Sequence, residues 1–88
     1  MSDPWGAHAQ ACGFAIAELQ GLQHFLGAAR EKADQTVGAI IMATGEQNTT
    51  ESGRNAVEHA AAVRDRIPEM IGMLEVAVQE MRRYRGGF

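Results

Sequence analysis

The chain has a single cysteine, Cys12, so no disulfide can form within it. Proline occurs only twice, at Pro4 and Pro68, and β-branched residues are scarce beside Ala, Glu, Gln, Leu and Met, a composition that favours helix. No apolar run approaches the roughly 18 residues that a membrane span needs. The nearest stretch, Trp5 to Ala29, has Glu18 as its only charged residue, but His8, Gln10, Gln20, Gln23 and His24 interrupt it. No positively charged segment precedes it, so it is not a standard signal peptide. These absences predict a soluble protein with no membrane span, made in a cytoplasm, with any export using a route without a cleaved leader.

Catalytic and cofactor signatures are missing as well. The chain has no GxxxxGK[ST] and no GxGxxG after a strand. His8, His24 and His59 have no spacing that builds a metal site with a carboxylate or with Cys12. His8 and Cys12 are four residues apart on one helix face, which reads as a buried cysteine beside a terminal histidine. As a nucleophile, Cys12 has no base in a predictable position. Glu31 and Asp34 lie on a solvated face beside Arg30 and Lys32. The sequence therefore predicts no enzyme, no cofactor, no metal and no small-molecule substrate. A net charge of −3 gives no general nucleic-acid signal. Arg82, Arg83 and Arg85 form the one cationic cluster, at a helix C-terminus where cations complement the macrodipole. A contact with phosphate or an acidic partner is the alternative reading of that cluster.

What the sequence does contain is periodicity. Gly53, Ala56, Ala60, Val63, Ile67, Met70, Leu74, Ala77, Met81 and Tyr84 follow an unbroken 3-4 spacing, the seam of a coiled coil. The first half has a matching stripe: Trp5, His8, Cys12, Ala15, Leu19, Leu22, Leu26, Ala29, Ala33, Thr36, Ile40 and Ala43. Ser2 or Asp3 with Pro4 marks a helix start. Between the stripes, residues 44 to 53 contain no apolar side chain, with Gly45 placed to end one helix and residues 48 to 52 to cap the next. Pro68 falls inside the second helix and should kink it. The reading is one all-α domain over residues 1–88: an antiparallel helical hairpin with helices at about 5–43 and 53–84, a polar turn at 44–53 and a flexible tail at 85–88.

Pairing residues whose numbers add up to 96 brings the stripes together, usually with a small residue facing a larger one. The expected intramolecular seam is then Cys12, Leu19, Leu22, Leu26, Ile40, Val63, Ile67, Met70, Leu74, Met81 and Tyr84. Ile16, Val37, Ile41, Val57, Ile71 and Val78 are left beside it. That flank predicts an oligomer interface and pairing of two hairpins into a four-helix bundle. The other reading of the flank is a wider intramolecular stripe. Ala9, Gly13, Ala17 and Gly21 recur every fourth residue and form a candidate second interface, since ridges of small residues let another helix approach.

A chain of 88 residues, folded as two long helices about one polar turn, resembles the small Trp-X-Gly hairpin proteins of type VII secretion systems, related to the early secreted antigen family. The turn here reads Thr44-Gly45-Glu46 without tryptophan, the Trp5-Gly6 pair stands at the other end, and Tyr84 is followed four residues on by Phe88 rather than an acid. The resemblance is in architecture, and no site residue carries over. It implies a non-enzymatic hairpin that pairs with itself or a related hairpin and is exported without a cleaved signal. Two other functions fit the same residues. One is a structural subunit of a phage-like or filamentous assembly that uses the glycine ridge. The other is a small regulatory or nucleic-acid-associated factor that uses Arg82, Arg83 and Arg85.

Overall fold

The computed structural model describes residues 4–45 and 50–86. Within them the chain is all-α: helix α1 spans Pro4–Thr44 and α2 spans Glu51–Gly86, packed against each other. Pro4 occupies the first position of α1, where its missing N–H costs nothing. The helix ends at Gly45, whose φ of 85° is a left-handed conformation that glycine adopts without strain. There the Gly45 N–H donates to the Ile41 carbonyl at 2.8 Å. Thr50 starts α2 with its hydroxyl accepting from the Gly53 N–H at 3.2 Å, a side-chain N-cap. Glu51 in the first turn and Arg83 and Arg85 in the last complement the α2 dipole. Residues 46–49 of the expected turn, residues 1–3, and residues 87–88 of the expected tail lie outside the described residues. Arg85 and Gly86, expected in that tail, are helical.

The cross-helix contacts run antiparallel: His8 with Tyr84, Gln23 with Ile71 and Glu75, and Asp34 with Arg64. Each lies within one helical turn of the expected pairing. The result is a rod of 69 × 19 × 14 Å with a radius of gyration of 19.9 Å. A compact chain of this length would have a radius of gyration of about 12 Å.

The seam differs from expectation in its rotation about each helix axis. The buried apolar residues are Cys12, Ile16, Val37, Ile67 and Val78. On α2 the covered positions recur as Gly53, Val57, Ala60, Arg64, Ile67, Ile71, Leu74, Val78 and Met81. On α1 Cys12, Ile16, Leu19, Gln23, Leu26, Ala33, Val37 and Ile40 follow the same spacing. This stripe shares every second member with the expected one and replaces the others. Ile16, Val37, Val57, Ile71 and Val78, expected at an oligomer interface, are covered within a single hairpin. Leu22, Val63, Met70 and Tyr84, expected in the seam, are 46%, 58%, 45% and 51% exposed.

The cost of this rotation is polar side chains in the seam, and each finds a partner. Gln23 donates to the Ile71 carbonyl at 3.3 Å and to Glu75 at 3.1 Å. Arg64 donates to Asp34 at 3.1 Å and to Asp65 at 2.9 Å. Thr36, expected on the seam, is exposed and returns its hydroxyl to the Lys32 carbonyl at 2.8 Å.

Val78, 1% exposed, and Val76, 58% exposed, separate the seam from the surface by two residues. We predict that Val78→Ala lowers the unfolding free energy by about 2 kcal/mol, from lost burial plus a residual cavity. Val76→Ala should stay within ~0.5 kcal/mol of the parent. Urea unfolding measures both, and equal effects would place the seam elsewhere.

Candidate interaction faces

Two helices side by side leave two flanks along their seam, and here the flanks differ in chemistry. One is polar. An open groove of about 580 Å³ is lined there by Gly27, Arg30, Glu31, Asp34, Arg64 and Asp65. The hydrogen bond from Arg64, then its charge, holds the Asp65 carboxyl below the usual carboxylate range, and Asp65 and Asp34 raise Arg64 in turn. Cations and carboxylates alternate in this groove and largely satisfy one another, so it offers no field of one sign to a ligand.

The other flank is apolar. A groove of about 370 Å³ is lined by Leu22, Leu26, Met70, Met73 and Leu74. A neighbouring depression along the rod is lined by Ala15, Leu19, Leu22 and Met81, among others. Phe25 stands 67% exposed and Met73 66% exposed at the shoulders of this flank. Phe14, 69% exposed, stands on the side of α1 turned away from α2, half a turn from Cys12 and Ile16. From Trp5 to Ala29 helix α1 carries one charged side chain, Glu18. The roles expected from the sequence are therefore exchanged. The residues expected to lie outside, Ile41 excepted, are covered between the helices, and four of the eleven residues expected in the seam, Leu22, Val63, Met70 and Tyr84, are exposed. Ile41, at 37% exposure, is the one member of the expected flank that stays at the surface by that measure. Phe14, Phe25 and Met73 belong to neither expected stripe. The scarcity of charge from Trp5 to Ala29 is the sequence feature that could have revealed the two phenylalanines.

The remaining candidate residues sit apart from this face. Along the glycine ridge, Ala9 and Gly13 are half-buried while Ala17 and Gly21 are exposed. A Cβ added at Gly13 would stand 3.9 Å from the Arg85 guanidinium, which reaches across from α2, and one added at Gly21 would meet nothing within 4 Å. Arg83 pairs with Glu80 at 3.3 Å within its own helix. At the open end His8 stacks on Trp5, with ring centroids 6.0 Å apart, and tilts against Tyr84 at 5.2 Å. Its Nε2 lies 3.6 Å from the Cys12 sulfur. Among the described residues no group of three or more His, Cys, Asp or Glu side chains could hold a metal ion, and no helix is long and apolar enough to cross a membrane.

No known protein family matches the chain, and neither a curated protein nor a solved structure does.

The lowered pKa of Asp65 has a definite sign in stability. A carboxyl whose pKa is lower folded than unfolded adds stability above its ordinary pKa, and that stability is lost as pH falls through the lowered value. Asp65→Asn should thus be less stable than the parent near neutrality and converge with it in strong acid. Denaturation midpoints over a pH series measure this, and a constant difference across the series would contradict the coupling.

Proposed function

We propose that the chain is a non-enzymatic protein–protein interaction module, a helical hairpin that pairs through its apolar flank with itself or a related hairpin to complete a four-helix bundle. The observation that carries this reading is surface area. A folded chain of 9.5 kDa exposes about 5,000 Å² by the usual relation of surface to mass. This hairpin exposes 6653 Å². The excess of about 1,600 Å² is twice the ~800 Å² that one partner loses in an interface of standard size. Because the apolar flank runs from Ala15 to Leu26 beside Met70 to Met81, a partner hairpin is a shape that covers it. The resemblance to the Trp-X-Gly hairpins supports a secretion-associated setting for such a pair.

Sedimentation equilibrium over a concentration series tests the proposal, with an oligomeric mass expected at tens of micromolar. Two adjacent substitutions should then behave differently. Met70→Asp lies on the open face and should shift the mass toward a single chain. Ile71→Asp enters the intramolecular seam and should cost several kcal/mol of hairpin stability through an unpaired charge. A parent protein that stays monomeric throughout and still melts cooperatively would overturn the proposal.

A further inference from the structure

We infer that the occupant of the apolar flank is a second copy of this chain running antiparallel to the first, with the two-fold axis crossing the flank at the level of Phe25 and Met70. This rests on the pairing proposed above and adds the partner, its direction and its register. The argument starts from the outer stripe of α1. In heptad steps along the border of the flank it reads Ala11, Glu18, Phe25, Lys32 and Ala39. Its only charged members are Glu18 and Lys32, both exposed, seven residues before and seven after Phe25.

The stripe is therefore an electrostatic palindrome about Phe25. If two α1 helices cross antiparallel at that residue, Glu18 of each copy faces Lys32 of the other. A parallel, in-register crossing would set Glu18 against Glu18 and Lys32 against Lys32, which is repulsive at both levels. At the axis the two Phe25 rings meet as an aromatic pair.

Helix α2 is compatible with the same axis. The apolar groove groups Leu22 and Leu26 with Met70, Met73 and Leu74, so Phe25 and Met70 share a level of the rod. Val63 and Ala77, one heptad to either side of Met70, are uncharged. The charged side chains of the polar groove, Arg30, Glu31, Asp34, Arg64 and Asp65, line the opposite flank. Such a dimer keeps them in water.

Charge reversal tests direction and register together. Glu18→Lys and Lys32→Glu, each replacing two attractions with two repulsions, should each weaken dimerisation by about tenfold in sedimentation equilibrium, and the double exchange should restore it. Both sites are exposed, and unchanged far-ultraviolet circular dichroism would show that the hairpin persists. In a Cys12→Ala background, Phe25→Cys should form a disulfide-linked dimer on oxidation, because the two sites face each other across the axis. Glu18→Cys should not link to itself. A dimer that is indifferent to the charge reversals, or that cross-links through Glu18→Cys, would overturn this inference and leave self-pairing intact. A parent protein that is monomeric at every concentration would overturn both.

Discussion

Two helices lying side by side can each bury only one stripe, and the whole structure depends on that limit. Every apolar residue that is fully covered lies along one line: Cys12, Ile16 and Val37 on α1, with Ile67 and Val78 on α2. Among the described residues no third element closes over them. The surface that a globular chain of this mass would hide is instead distributed along a rod of 69 Å, and the two flanks divide it by chemistry. Charge gathers where Asp34, Arg64 and Asp65 pair, and apolar side chains gather where Leu22, Met70 and Met73 stand open. Such a division lets one flank face water while the other remains available to a partner.

Within that limit the polar members of the seam set register. A purely apolar stripe with a seven-residue repeat looks nearly the same after a slide of one heptad, and alanine-rich stripes discriminate poorly between such states. Gln23 reaches both the Ile71 carbonyl and Glu75, and Arg64 reaches both Asp34 and Asp65. A slide would strand both side chains, Gln23 near the middle of the rod and Arg64 nearer the turn. These bonds are exposed or half-exposed and add little stability individually. Their contribution is to make one alignment better than its neighbours, as single polar residues do in coiled coils.

The helices, the antiparallel pairing and the glycine end of α1 were legible in the sequence because each depends on local signals. Pro4 and Thr50 start helices, Gly45 ends one, and a 3-4 spacing marks a helix that packs on a neighbour. The rotation of the seam was not legible, for a physical reason. Two stripes, one through Met70 and one through Ile71, share every second residue. The first has only the shorter His8 and Thr36 as polar members, whereas the second contains the long side chains of Gln23 and Arg64. Pattern alone prefers the clean stripe. The structure covers the one that carries Ile16, Val37, Val57, Ile71 and Val78, and the long side chains of Gln23 and Arg64 reach from it to partners. The candidate interface was read one position off for the same reason, so Leu22 and Met70, expected in the seam, stand exposed beside Met73.

The antiparallel arrangement also has a mechanical consequence. Pro4 begins α1 and Gly86 ends α2 at the same end of the rod, with the reversal of the chain at the far end. A pull applied to the two ends of the chain is therefore borne first by the outermost layer, where His8 rests between Trp5 and Tyr84, and by little else. Once that layer parts, the load passes to the next, so the helices peel apart in sequence instead of sliding past one another under shared shear. Resistance to extraction is then set by the weakest layer in turn. A rod of 19 × 14 Å in cross-section thus meets load at its open end one layer at a time, whereas heat and denaturant act on all its layers at once.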